Sequence, residues 1–188
     1  LHGEQVERVP GRNPPQLERV RRYRHGVLDG VTEVYYPNGR IQTRTPFRKG
    51  KKHGIFRSFR LDGGPDEVIG YRSGIRHGRY ERYSASVLRE RSHYVDGALE
   101  GRAVTFFASG KLAQRFSYER GRRHGLIEDY YENGRLRAKV IYEHGERHGR
   151  FEMRYDHGKL CCAGSYVRGK LAGKVHCYYK DGVLWMAE

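Results

Sequence analysis

Aromatic and glycine positions recur along this chain with a fixed period. An aromatic stands three residues before the first glycine of a Gly-x-x-x-Gly pair at Tyr23, Phe47, Tyr71, Tyr94, Tyr118, Tyr142 and Tyr166. The pairs are Gly26/Gly30, Gly50/Gly54, Gly74/Gly78, Gly97/Gly101, Gly121/Gly125, Gly145/Gly149 and Gly169/Gly173, and their first members step by 24, 24, 23, 24, 24 and 24 residues. Nine residues after the first glycine comes another aromatic: Tyr35, Phe59, Tyr83, Phe106, Tyr130 or Tyr178. Arg154 is the exception, with Tyr155 beside it the expected substitute. Such self-similarity is the mark of a repeat architecture, in which each unit packs on its neighbours.

A second signal falls midway through the period. Asn38-Gly39, Gly63-Gly64, Ser109-Gly110, Asn133-Gly134, His157-Gly158 and Asp181-Gly182 separate β-prone runs. Such dipeptides mark hairpins because Gly and Asn accept the positive φ of a tight turn. The strand before this turn ends in aromatics, as in Val34-Tyr35-Tyr36, and the next opens on Ile41, Leu112, Leu136, Leu160 or Leu184. Two strands of about eight residues and two turns fill a 24-residue period and leave no room for a helix. The predicted fold is all-β: an elongated single-layer antiparallel β-hairpin repeat, a meander of about seven 24-residue repeats. At about 4.8 Å per strand it would span on the order of 65 Å.

The ends differ from the middle. One period back from Ile41 and Phe47 lie Leu17 and Tyr23, so residues 16–23 read as the second strand of a degenerate repeat. Pro10, Pro14 and Pro15 suggest an irregular arm before it. Residues 1–22 are therefore read as arm and capping half-repeat, which would cover a strand edge, and residues 23–188 as the array. Val183-Leu184-Trp185-Met186 is the expected last strand. The third unit has Ser84-Ala85-Ser86-Val87 in place of its central glycine and is one residue short, so either a local kink or a different turn is expected there.

Composition sharpens this reading. Leu, Ile, Val and Phe make up 39 of 188 residues, near the boundary of disordered chains, but 15 Tyr and 25 Gly placed in register can stack into a thin core. No apolar run is long enough for a membrane helix. Glu4, Glu7 and Arg8 interrupt the first ten residues, so no signal-peptide segment is visible there. Cys161, Cys162 and Cys177 are odd in number and lack zinc-ligand spacing, which argues against a disulfide framework and for small buried fillers in an intracellular, reduced setting.

Catalytic patterns are missing from the sequence: no Gly-x-Ser-x-Gly, phosphate-binding loop or paired carboxylates occur, and no glycine opens a helix after a strand. The chain is expected not to be an enzyme, with no cofactor and no small-molecule substrate. His53, His77, His124 and His148 all precede the second glycine of a pair. Successive repeats about 10 Å apart would hold them too far from one another to share a metal, so they read as turn residues that tolerate unusual backbone angles and hydrogen-bond locally.

The charge is more informative. With 37 basic and 22 acidic residues the net charge is +15, and the excess is +3, +7, +3 and +2 over residues 1–46, 47–93, 94–141 and 142–188. Basic residues gather at the Gly-x-x-x-Gly turns and would line up as a basic rim: Arg48, Lys49, Lys51, Lys52, Arg72, Arg76, Arg120, Arg122 and Arg123 are its predicted partner-binding residues, with Arg147, Arg168 and Lys170 at the later turns. Arg outnumbers Lys 28 to 9, which favours bidentate contacts to carboxylate or phosphate.

The run Asp129-Tyr130-Tyr131-Glu132-Asn133-Gly134-Arg135-Leu136, followed by Tyr142-Glu143-His144-Gly145-Glu146-Arg147-His148-Gly149, resembles the MORN repeat. It closely resembles the bacterial-type variant whose members also carry the YwqK antitoxin label. The resemblance runs over about residues 23–188, departing at the third unit and at Gly63-Gly64-Pro65. It implies a non-catalytic module that holds protein partners or sits near membranes. The leading expectation is a structural or scaffolding subunit that docks its basic rim and aromatic-lined surface onto an acidic protein in a larger assembly. Direct binding of RNA or an anionic membrane is a second reading, and a toxin-neutralising partner role, implied by the resemblance alone, is a third.

Overall fold

The computed structural model describes residues 2–9 and 17–187. Every regular element among them is a β-strand, and every strand pair is antiparallel. The chain divides into two compact units, Leu1–Leu88 with His93–Ala98, and Arg89–Ser92 with Leu99–Glu188.

The first unit carries Leu17–Arg24, Gly30–Tyr35, Ile41–Arg48, Gly54–Phe59, Pro65–Arg72 and Ile75–Ser84 as its principal strands. In the second the principal strands are Gly101–Phe106, Leu112–Glu119, Gly125–Tyr130, Leu136–Glu143, Glu146–Arg154 and Leu160–Val167, closed by His176–Tyr178 and Leu184–Ala187. The strands after the mid-period turn open on the apolar residues that the pattern marks, Ile41, Leu112, Leu136, Leu160 and Leu184.

Each period contains two kinds of turn, and the tight one is not the one that Asn-Gly suggests. At the first glycine of each pair two consecutive residues have positive φ: His25-Gly26, Lys49-Gly50, Ser73-Gly74, Asp96-Gly97, Arg120-Gly121, His144-Gly145 and Arg168-Gly169. That is the signature of the two-residue type I′ hairpin. The mid-period turn is longer. Tyr36 receives the N–H of Gly39 on its carbonyl and donates its own N–H to Arg40, and only Gly39 takes positive φ. Asn38 instead accepts the Arg40 N–H on its side chain at 3.1 Å, the local bond that favours Asn in turns. The same pattern holds at Tyr131, Tyr155 and Tyr179.

The second glycine of each pair marks a bulge. Between the pairings Phe47↔Lys52 and Arg44↔Arg57, four residues on the later strand oppose two on the earlier. Gly54, at φ 105, sits in this excess with a hypothetical Cβ 3.2 Å from Pro46, so a side chain there would meet both strain and crowding.

Side chains alternate between two faces. On one, the second unit stacks Ala103 on Phe116, then Ile127 on Val140 and on to Phe151 and Gly164 in direct register. Ala103, Phe116, Ile127 and Phe151 are buried. Large and small residues alternate to fill the layer: a Cβ on Gly164 would lie 2.9 Å from the Phe151 ring and 3.0 Å from Val175. The first unit's row, Thr32 on Thr45 and Phe56 on Ile69 and Tyr80, is more polar.

Three further observations bear on the expectations from sequence. Gly3–Arg8 is a strand, paired with Leu17–Arg24 through Val6↔Val20, where the prolines suggest an irregular arm; Pro10, Pro14 and Pro15 lie outside the described residues. At the short third unit the turn differs in kind. Ala85 and Ser86, at φ 49 and 64, form a two-residue turn between Ile75–Ser84 and Val87–Val95, longer strands than their counterparts. Finally, Cys162 and Cys177 face each other across Leu160–Val167 and His176–Tyr178 and form a disulfide. The odd cysteine count argued against such a bridge, and direct cross-strand register, invisible in spacing, is what makes it. Cys161 is the free thiol, half-buried.

Candidate partner-binding surface

Each type I′ turn is tied to the one before it. The glycine N–H donates to a carbonyl one period back: Gly50 to Leu28, Gly74 to Lys52, Gly97 to Arg76, Gly121 to Leu99, Gly145 to Arg123 and Gly169 to Arg147, at 2.7–2.9 Å. The residue before the second glycine adds a side-chain acceptor. Asp29 takes the N–H of Lys49 at 3.1 Å, and Glu100 that of Arg120 at 2.8 Å. His53 Nδ1 lies 3.4 Å from the Ser73 N–H, and His77 Nδ1 3.4 Å from that of Asp96. His53 and His77 of the histidine ladder are therefore acceptors for the following turn. The unusual backbone angles that the sequence suggested for the ladder belong to the residues these two hold, Ser73 and Asp96.

This spine sorts the predicted rim residues into two groups. Arg48, Lys49, Lys51, Arg72, Arg120 and Arg122 are exposed at the turns. In the first unit the turn bearing Arg72 is bonded to the one bearing Lys49 and Lys51 through Gly74 and Lys52. Lys52, Arg76 and Arg123 differ, because they fold over aromatic rings. The Lys52 ammonium lies 5.0 Å from the centroid of Tyr71 and 5.6 Å from that of Phe56. Arg76 covers Tyr94 at 5.4 Å and donates to its hydroxyl at 3.2 Å. The Arg123 guanidinium lies 5.5 Å from Phe116 and 5.9 Å from Tyr142. Arg147, at a later turn of the predicted basic rim, covers Tyr166 at 5.3 Å and donates to the hydroxyls of Tyr142 and Tyr166 at 3.3 Å. Hydrogen bonds, to Tyr71 for Arg76 and to Tyr142 for Arg147, push both guanidinium pKa values further up. All four stand two residues after the first glycine, a position filled by Leu28, Leu99 and Leu171 elsewhere. The leucines mark it as a packing site, where cation and ring replace an aliphatic contact.

In the second unit these pairs wall a cleft of about 280 Å³. Ile127, Val140 and Phe151 line it beside Arg123, Tyr142, Arg147 and Tyr166, with Met153 and Asp129 also on its lining. It combines an apolar surface with fixed cationic and hydroxyl groups.

The opposite face is charged and internally compensated. Arg115 meets Glu128 at 3.1 Å, and Lys139 meets Glu152 at 2.9 Å; in the first unit Arg44 meets Glu33 at 2.8 Å. A tyrosine two residues beyond each glutamate donates to it, Tyr35 to Glu33 at 3.0 Å and Tyr83 to Glu81 at 2.9 Å. Burial and this bond hold the Tyr35 phenol pKa up, and Tyr130 beside Glu128 is raised for the same reasons. At the position lacking tyrosine, Arg154 donates to Glu152 at 3.1 Å. The hydrogen bonds of Lys139 first, and then Arg154, pull the Glu152 carboxyl below the usual range against its partial burial. Tyr155 does not substitute for it; its hydroxyl donates to the Tyr178 carbonyl at 2.8 Å. That bond repeats those of Tyr36 to Phe59 and Tyr131 to Arg154 on the long-turn side.

Some basic residues serve that side as well. Arg40, Lys111, Arg135 and Lys159 each donate to a carbonyl in the next long turn, at 2.6–3.3 Å.

Among the described residues, one group of three side chains gathers ligand atoms of metal-binding type: Glu119, His124 and His144, within 4.8 Å of one another. Ladder histidines alone do not build it. His144 occupies the positive-φ turn position of the following repeat and so reaches back to His124.

No curated protein matches the chain. MORN repeats are generally found in non-enzymatic repeat scaffolds that mediate protein or membrane interactions. Three segments of this chain, residues 28–49, 99–120 and 123–144, each match the family model of the MORN repeat variant.

Proposed function

We propose that the protein is a non-enzymatic scaffold subunit whose second unit receives an acidic, extended protein segment in the cleft above Ile127, Val140 and Phe151. The observation that carries this reading is the fixed array of Arg123 and Arg147 over Tyr142 and Tyr166 beside an apolar surface. Rings and aliphatic side chains bury apolar parts of a partner, while guanidinium groups already held in place bind carboxylates at low ordering cost. Acids on the charged face are paired within the protein, which leaves the turn cations Arg120 and Arg122 to steer an acidic partner towards the cleft.

The test uses a fluorescent peptide of alternating Glu and Leu, with an RNA hairpin and anionic liposomes as comparators. Arg120→Glu/Arg122→Glu changes exposed side chains and keeps the stacked arginines that support the fold. Peptide affinity is expected to fall at least tenfold, about 1.4 kcal/mol, while Arg57→Glu, on the charged face of the first unit, leaves it unchanged. Equal binding by wild type and the double variant overturns the reading. So does binding of RNA or liposomes, but not peptide, with a steep loss in salt, the signature of direct polyanion binding.

A further inference from the structure

The geometry points to a divalent transition-metal site of zinc type, formed by Glu119, His124 and His144 and joining two consecutive repeats of the second unit. Three observations converge there. First, the donor set is two imidazoles and one carboxylate, a combination that holds zinc with a fourth position left to water. Second, the spacing suits the ion. Glu119 Oε2 lies 3.3 Å from His124 Nδ1, and ligand bonds of about 2.0–2.2 Å in a tetrahedral site put neighbouring ligand atoms roughly 3.3–3.5 Å apart. All three ligand atoms already lie within 4.8 Å, and Glu119 and His144 are exposed side chains able to close the remainder.

The third observation separates this place from the rest of the ladder. His53 and His77 spend Nδ1 on the N–H of the following turn. His124 Nδ1 is shielded from solvent and makes no hydrogen bond, with the Glu119 carboxylate beside it. A sheltered ring nitrogen that makes no hydrogen bond costs stability unless something binds it. The equivalent pair one period on, Glu143 with His148 at 3.6 Å, has Arg168 where His144 would stand and so lacks the third donor. Arg120 and Arg122 also line the cavity and oppose a cation, while Glu143 and Glu146 in the adjoining hollow offset them.

Zinc chloride alone is the probe, titrated calorimetrically into the full chain at neutral pH. The wild type is expected to take up one equivalent. Glu119→Gln and His144→Asn should each weaken it at least tenfold; Asn is chosen because it tolerates the positive φ of that turn. His148→Ala should change affinity less than twofold. Circular dichroism checks that each variant keeps its strands. No uptake by the wild type overturns the site, as does uptake that persists unchanged in His144→Asn.

Discussion

At Arg154 the recurring tyrosine is replaced but its task is kept, since the guanidinium donates to Glu152 as Tyr35 and Tyr83 donate to Glu33 and Glu81. What the period conserves there is a donor for a glutamate on the charged face, more than aromatic surface. The same pairing sets a pH response. Burial first, and the glutamate bond second, raise the folded-state pKa of Tyr35 and Tyr130 above the ordinary phenol value of about 10. A phenol raised on folding stabilises the protein fully below its unfolded value, and that contribution is lost as pH rises through the raised one. In an alkaline titration followed at 295 nm, Tyr35 and Tyr130 should ionise after the bulk of the tyrosines. Glu33→Gln should bring Tyr35 part of the way back, leaving the effect of burial. Titration of both together with the bulk would contradict the pairing. The periodic tyrosines were legible in the sequence as structural. Their partners were not, because a side chain's face depends on register, and register depends on where each bulge falls.

Among the elements, the two turns exchange the roles that their dipeptides suggest. The Asn-Gly turn is the long one, and the tight type I′ turn lies at Gly-x-x-x-Gly, with residues as varied as Lys49, Asp96 and Arg120 in the left-handed region before glycine. Hydrogen bonds donated to the preceding repeat, by the N–H groups of Gly50 and Lys49 for example, help to hold that conformation. Ala85 and Ser86 have positive φ without any glycine, at a cost of about 1–2 kcal/mol for each such residue. Ala85→Asn/Ser86→Gly is therefore expected to raise unfolding stability by about 1 kcal/mol, after loss of the 3.3 Å bond from Arg60 to Ser86. Urea denaturation measures it, and an unchanged or lower midpoint would refute the strain argument. Sequence located every turn at the first glycine. It could not assign the turn type, because hydrogen bonds from the neighbouring repeat contribute to the choice.

At the scale of the whole molecule, the charge of +15 divides into cations that serve the fold and cations that face solvent. Arg40, Lys111, Arg135 and Lys159 link the long turns, and Lys52, Arg76, Arg123 and Arg147 cover rings. Neighbour-to-neighbour construction also predicts how damage spreads. Reducing the Cys162–Cys177 bridge, which closes a 15-residue separation, removes a constraint worth about 3 kcal/mol on loop-closure grounds. Hydrogen exchange should then rise over residues 160–187 while residues 101–130 keep their protection, as expected where each repeat rests on the next. A uniform rise over the whole second unit would show that it unfolds as one body.

By itself the sequence determined the all-β repeat, its period, the positions of the glycine turns and the strand starts at Ile41, Leu112, Leu136, Leu160 and Leu184. These follow from local backbone preference and from hydrophobic periodicity, both written in neighbouring residues. Only the tertiary structure decided which cations fold over rings, which histidines accept turn N–H groups, the pairing of Cys162 with Cys177 and the meeting of His124 with His144. Each of these depends on which residues of neighbouring strands and turns come to lie side by side, and a bulge or a two-residue turn resets that register in every repeat.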